Sequence, residues 1–362
     1  MASIGAAVKR ALLSLAFVLA SLLARADGDQ AGTQQALVTA VGCIGITVSD
    51  VDRSADFYVR VLDFRRDVEA ELAGDPYERL TGIFGVRMRI VRVRLGEECL
   101  DLTEFVSPRG RPAPADSRSN DRWFQHVAIV VADMDRAYQR LRAARVEQVS
   151  SGPQRLPDWN PKAGGIRAFY FRDPDRHVLE IIQFPEGKGD PRWHIAQAAE
   201  QHGVLFLGID HTAIVVGGTE ASLRFYRQVL GLRTVSESEN WGTEQEHLNA
   251  VTGARLRITS LRAASGPGIE LLEYVAPRDG RPMPPDERPN DLVHWQTEVT
   301  VAEMEGAARL LRRVGAPLLS ATAVAIPDPA FGYGRAQLVR DPDGHVIELR
   351  MPRRRDGTGG QR

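Results

Sequence analysis

The chain repeats itself, and that repeat limits the folds open to it more than any other feature. Phe57-Tyr58 followed by Val61-Leu62 returns as Phe225-Tyr226 followed by Val229-Leu230, at an offset of 168 residues. Arg172-Asp173-Pro174-Asp175 and Arg340-Asp341-Pro342-Asp343 share that offset, while Pro108-Arg109 and Pro277-Arg278 differ by 169 and Met134 and Met304 by 170. Independent landmarks that drift so little mark a duplication. A weaker echo divides each half, since Asp50-Val51-Asp52-Arg53-Ser54-Ala55 resembles Asp133-Met134-Asp135-Arg136-Ala137-Tyr138, 83 residues on. The chain therefore contains four modules.

Each module opens on a short β-branched run, such as residues 44–48 or 127–131, after which an acidic residue begins a stretch of helical spacing. Phe57, Val61 and Leu62 stand at i, i+4 and i+5, the spacing of a buried helical stripe. Apolar runs at 87–94, 100–106, 166–171 and 178–184 complete the pattern, which reads strand, helix and three strands, four times over. Proline-dense segments at 107–114 and 276–285 lack the donors a strand needs and read as ordered connectors. Their arginines either meet solvent or face an anionic ligand.

Composition sets the remaining bounds. A chain of 362 residues with 43% hydrophobic and 26% charged content lies in the globular range, and its length favours two domains. At the N-terminus Lys9 and Arg10 precede an apolar run from Ala11 to Leu23 that ends in Ala24-Arg25-Ala26, the order of a cleavable secretory signal. The run is too short for a membrane span, which needs about 20 residues. Cleavage after Ala26 would remove three bases and no acid, taking the formal charge from −1 to −4. That balance points to no nucleic-acid partner. The expected address is periplasmic or secreted, with no span left after cleavage. Only Cys43 and Cys99 are present, enough for one bridge.

Val48-Ser49-Asp50-Val51-Asp52-Arg53-Ser54 with Phe57-Tyr58, and Arg340-Asp341-Pro342-Asp343-Gly344-His345-Val346-Ile347-Glu348-Leu349, resemble the vicinal oxygen chelate (VOC) superfamily of glyoxalases, bleomycin resistance proteins and extradiol dioxygenases. The resemblance covers nearly all of 43–350. It implies an α+β fold of four βαβββ modules, arranged as two tandem glyoxalase-like domains whose curved sheets enclose a cup. The expected organisation is a signal peptide (1–26), an N-terminal segment (27–42), a first domain (43–184), a linker (185–207), a second domain (208–351) and a basic tail (352–362).

In metal-bearing members the ligands come from the start of each module's first strand and from its last strand. Carried over, those positions are Cys43, His126, His211 and Gln296, and Asp101, Glu180, Glu270 and Glu348. Cys43 and Asp101 depart from the usual ligand types. If the second module of one half meets the first of the other, His126, Glu180, His211 and Glu270 form a complete divalent-metal set, leaving Cys43, Asp101, Gln296 and Glu348 as a degenerate pocket. If each half closes on itself, His211 and Glu270 instead join Gln296 and Glu348. Side chains alternate along a strand, so a histidine and a carboxylate on neighbouring strands can reach one cavity from rigid supports. Glu104 and Glu273 lie three residues past Asp101 and Glu270 and are read as outward. His177 and His345 are read as turn residues, and His294 as a substitute for Gln296 if the register shifts. Cys43 and Cys99 would share a cup and can form a cross-strand disulfide, the alternative being a thiolate ligand.

The resulting expectation is a metal-dependent enzyme using Zn, Ni, Fe or Mn, with Glu180 and Glu270 moving protons on a small oxygen-chelating substrate. Glyoxalase I (lactoylglutathione lyase) is the nearest named activity, although an exported address argues against a glutathione adduct. Extradiol ring cleavage is the second enzyme reading. The histidine placed before the Tyr-x-x-Asp-Pro segment in that family is missing here, where Arg167 stands nearby. A metal-free binder of a small aromatic or antibiotic-like molecule is the rival from another class. The chain is expected to act as a monomer of two paired halves or as a homodimer.

Overall fold

The computed structural model describes residues 36–198 and 203–353. The expected signal segment and most of the basic tail lie outside the described residues. Val38–Val48, Gln125–Val131, Phe206–Val215 and Trp295–Val301 open the four modules. A helix follows each: Val51–Leu62, Met134–Ala143, Thr219–Leu223 continued by the π-turn Arg224–Val229, and Met304–Arg313. Asp50, Asp133 and Glu303 cap three of these helices, their side chains accepting the backbone N–H groups of the first turn. Gly218 cannot, and there Glu273 Oε2 accepts from Thr219 N at 3.0 Å, as Glu104 Oε2 accepts from Val51 N at 3.2 Å. The two glutamates read as outward thus point from the sheet towards the helix layer.

Three further strands are full length only in modules one and three. In module two the second strand shrinks to Glu147–Gln148 and Gln154–Arg155, and in module four to Val324–Ala325. Modules one and three carry an additional short helix, Asp75–Thr81 and Thr243–Asn249, which packs on those reduced strands of the partner module. The strand runs in the order Val324–Ala325, Tyr333–Arg340, Val346–Pro352, Trp295–Val301, Val38–Val48, Glu98–Ser107, Arg87–Leu95, Arg65–Ala73 in one sheet. Module four therefore meets module one. In the second sheet the order is Arg233–Trp241, Arg255–Arg262, Gly268–Ala276, Phe206–Val215, Gln125–Val131, Val178–Gln183, Arg167–Arg172, Glu147–Gln148, so module three meets module two. Self-closure of each half does not occur.

Each half is instead held through its helices. Tyr58, fully buried in module one, donates to Asp173 Oδ2 of module two at 3.2 Å, and Tyr226 repeats the bond to Asp341 Oδ2 at 3.0 Å. The repeated Phe-Tyr and Asp-Pro-Asp motifs are thus the two ends of one contact. Around it pack two apolar cores, one with Leu62, Met134, Leu141 and Phe169, the other with Leu230, Met304 and Leu311. His177 and His345 are more buried than a turn reading implies; their Nε2 atoms meet Leu292 O and Val215 O at 2.8 and 2.9 Å across the repeat. Arg176 stands at φ 73° where its counterpart Gly344 stands at φ 104°, so the arginine occupies backbone space that favours glycine.

The proline-rich connectors clasp one another. Arg111 pairs with Asp291 and Asp286 at 2.6 Å each, and Arg281 reciprocally with Asp121 and Asp116 at 2.6 and 2.8 Å. Glycine is required at the crossing, because a Cβ on Gly110 would sit 1.9 Å from Asn290 O and one on Gly280 1.8 Å from Asn120 O. Arg111 and Arg281 therefore face aspartates, and the anionic-ligand reading falls for these two. The first strand begins at Val38, inside the expected N-terminal segment, and the expected linker holds the helix Pro191–Ala198 and the start of the strand at Phe206. Among the described residues no helix is long and apolar enough to cross a membrane.

Candidate metal centre

Two cups result, one per sheet, and the same residue positions have opposite fates in them. In the sheet formed by modules two and three, His126 lies opposite Ala213 on the central antiparallel pair of strands. Glu180 and Glu270 come from the parallel strands flanking that pair, beside Ala128 and Ala213. The ladder slips between Ile209 and His211, leaving Asp210 as an extra residue. Such a bulge re-aims neighbouring side chains. All four expected ligands thereby line one cavity of about 690 Å³.

Glu180 Oε2 lies 3.1 Å from His126 Nε2 and 3.6 Å from His211 Nε2, and Glu270 Oε2 lies 3.4 Å from His211 Nε2. His126, Glu180 and His211 are buried, and one donor atom of each falls within 4.8 Å of the others. Glu270 is more open, its side chain 21% exposed, and its other oxygen accepts from Ser260 Oγ at 2.5 Å. Two imidazole nitrogens and a carboxylate drawn together, with the Glu270 carboxylate beside His211, suit a first-row divalent ion.

Three residues absent from the sequence-based set shape this centre. Asp210 Oδ2 accepts from His211 Nδ1 at 2.9 Å, which turns His211 Nε2 towards the carboxylates. Its Oδ1 accepts from Trp193 Nε1 at 2.8 Å and from Arg262 Nη2 at 2.9 Å. Burial would raise the Asp210 carboxyl, but His211, Arg262 and Trp193 outweigh it and hold the group below the usual range. Burial would likewise lower the His211 imidazolium, yet Glu270, the Asp210 hydrogen bond and Glu180 raise it to about 9. A cation is therefore favoured among these acids even when only a proton supplies it. His126 Nδ1, by contrast, is buried with no partner. Asp210 went unread, although its place next to His211 in the sequence is a signal that could have marked it; Trp193 belongs to the linker helix and left no signal.

The other cup is filled. Gln296, at the position of His126, donates to Glu348 Oε2 at 2.7 Å, and His294 Nε2 comes within 3.4 Å of Gln296 Oε1 while its Nδ1 faces Glu287 at 2.7 Å. His294 is thus a buried, paired residue rather than a replacement ligand. Cys43, at the position of His211, is joined to Cys99 in a disulfide with Cα atoms 4.7 Å apart, which removes the thiolate reading. Asp101 receives Arg92 through two hydrogen bonds of 2.7 and 2.8 Å. Arg350 lies 2.8 Å from Glu348 Oε2 and 2.6 Å from Glu298 Oε1. The open cup has Ser260, Ile182 and Ala128 where Arg92, Arg350 and Glu298 stand. Two guanidinium groups occupy the space and the charge an ion would supply, and about 40 Å³ of cavity remains.

Residues 40–181 and 208–349 each match the Glyoxalase/Bleomycin resistance protein/Dioxygenase superfamily. The chain belongs to that superfamily. A 2-epi-5-epi-valiolone epimerase from an Actinomyces species is 33% identical over 153 residues, which is 41% of this chain and 81% of the relative. Glyoxalase I from Zea mays superposes with a TM-score of 0.55 at 15% identity, covering 86% of this chain and 92% of that structure. At that identity the likeness concerns the fold: two tandem VOC domains, α+β with curled sheets.

Proposed function

We propose that this VOC protein is a metal-dependent isomerase or lyase that moves a proton at carbon beside a carbonyl. The observation that carries the reading is the convergence of His126, Glu180, His211 and Glu270 in one cavity while the duplicate positions are bridged, paired and filled. A bound divalent ion would supply positive charge to two neighbouring substrate oxygens and steady the oxyanion formed on C–H cleavage. His126 and His211 would hold it, with His211 oriented by Asp210 and Trp193. Glu270, steadied by the Ser260 hydroxyl and facing the open part of the cavity, is placed to take a carbon-bound proton. Glu180, on the adjoining strand and buried, is placed to return one from another direction. Delivery to the opposite face of the same carbon is epimerisation, and delivery to the neighbouring carbon is isomerisation.

The epimerase relative supports proton transfer over ring cleavage; the metal-free binder is disfavoured by the clustering of His126, Glu180 and His211 beside Glu270. The Cys43–Cys99 disulfide supports an oxidising compartment and hence the exported address read from residues 1–26. The test is proton exchange: metal-loaded protein incubated in D₂O with small α-hydroxyketones and followed by NMR. Deuterium entering at the α-carbon, lost in Glu270→Gln and Glu180→Gln, is the expected result. Metal-loaded protein that consumes oxygen with catechols and exchanges no proton would overturn it.

A further inference from the structure

We propose that the substrate of the open cup is a small polyhydroxylated molecule, seated with its hydroxyl groups against Ser236, Ser238, Asn240 and Gln245. The inference rests on the metal-centre reading and names the class of molecule that the centre would act on. Ser236, Ser238 and Asn240 are two apart on the strand Arg233–Trp241, so they share one face, and that face lines the cavity. Neither serine hydroxyl has a hydrogen-bond partner among the described residues. Asn240 Oδ1 is taken by Asn160 Nδ2 at 2.7 Å, which leaves the Asn240 amide N–H groups for the cavity. Gln245, at the cavity wall and only 2% exposed, keeps Oε1 buried and unpaired. An orphaned buried acceptor is costly, so this wall is built for a partner that the protein does not itself provide.

The register connects this wall to the chemistry. Ser236 pairs with Ser260, and Ser260 pairs with Glu270. Adjacent strands lie about 4.8 Å apart, so the row runs about 10 Å from the carboxylate outward, room for a small molecule with several hydroxyl groups. On the other side Leu156, Ile182 and Phe184 offer an apolar surface to the C–H groups of such a molecule.

The duplicate supplies an internal control. At the offset of 168 residues, Ser236, Ser238, Asn240 and Gln245 become Val68, Ala70, Leu72 and Tyr77, and all four belong to an apolar cluster in the filled cup. The fold is therefore satisfied by hydrocarbon at three of these positions and by the aromatic ring of Tyr77 at the fourth, while the serine, asparagine and glutamine side chains occur in the cup that keeps the histidines. A flat aromatic diol would leave them unpaired, and sites with unpaired polar groups reject such molecules strongly.

The test is calorimetric titration of the protein, with and without Zn²⁺, using D-fructose, myo-inositol and catechol as probes, on wild type and on Ser236→Ala/Ser238→Ala. The expected result is binding of at least one polyol, weakened about tenfold or more in the double variant, with the melting temperature and metal content unchanged. Serine-dependent polyol binding without any metal uptake would keep this inference and remove the metal reading. Polyol binding unaffected by the double substitution, absence of polyol binding by metal-loaded protein, or tighter binding of catechol than of either polyol would each overturn it.

Discussion

Replacing Asp210 with Asn tests how the centre is aimed. The native carboxylate accepts three hydrogen bonds, from His211 Nδ1 through one oxygen and from Trp193 and Arg262 through the other. An amide has a single acceptor oxygen and two N–H donors. Two donors compete for that oxygen on the Trp193 and Arg262 side, so the amide nitrogen turns towards His211. His211 Nδ1 must then accept, and the ring carries its proton on Nε2, the atom facing Glu180 and Glu270. A protonated Nε2 is no ligand. Support of this kind is worth 10- to 100-fold in metal affinity, about 1.4–2.7 kcal/mol. Competition against a chelating dye measures the affinity, and nitrogen-detected NMR of the His211 ring reads the tautomer. Metal affinity within about twofold of wild type, with Nδ1 still protonated, would refute the reasoning.

Two further outcomes concern the filled cup. Closing a loop of 56 residues, the disulfide should stabilise the fold by up to about 4 kcal/mol on chain-entropy grounds, so Cys43→Ala/Cys99→Ala should lower the denaturation midpoint in urea while leaving metal content unchanged. Three carboxyls, Asp101, Glu298 and Glu348, face two guanidinium groups there, and one proton balances the charge. Burial raises Glu298 well above its usual range against the pull of Arg350, with Asp101 and Glu348 adding to the rise. A group raised in the fold contributes stability below its unfolded value, about 4.3, and that contribution is lost as pH climbs towards the folded value. Wild type should therefore lose up to about 1.4 kcal/mol per pH unit from this group above pH 5, and Glu298→Gln should flatten the slope in urea titrations at pH 5, 6 and 7. An unchanged slope would place the proton elsewhere.

Much of the architecture was readable because duplication leaves matched landmarks. Phe57-Tyr58 and Asp173-Pro174-Asp175 recur with their partners because Tyr58 and Asp173 touch, as do Tyr226 and Asp341. The candidate ligands came from the family resemblance, which points to the start of each module's first strand and to its last strand, and His126, Glu180, His211 and Glu270 at those positions line one cavity. What the order of residues left open was which modules mate, because either pairing buries the same apolar faces. The failure of the second cup was half visible: Cys43 and Asp101 announced it, but Arg92, Glu298 and Arg350 went unnoticed because a single charged residue on a strand reads as solvent-facing. Only the structure shows that these three point into the cup, where the other lobe has Ser260, Ala128 and Ile182. Trp193 was invisible for a different reason. It reaches Asp210 from a linker helix whose sequence carries no sign of what it covers.

The measurement that bears most directly on the account is the metal content of the purified protein after reconstitution, counted by elemental mass spectrometry. One divalent ion per chain is expected, lost in His211→Ala and retained in Gln296→Ala. Two ions per chain, or one that survives His211→Ala, would contradict the assignment of the ion to the cup between modules two and three.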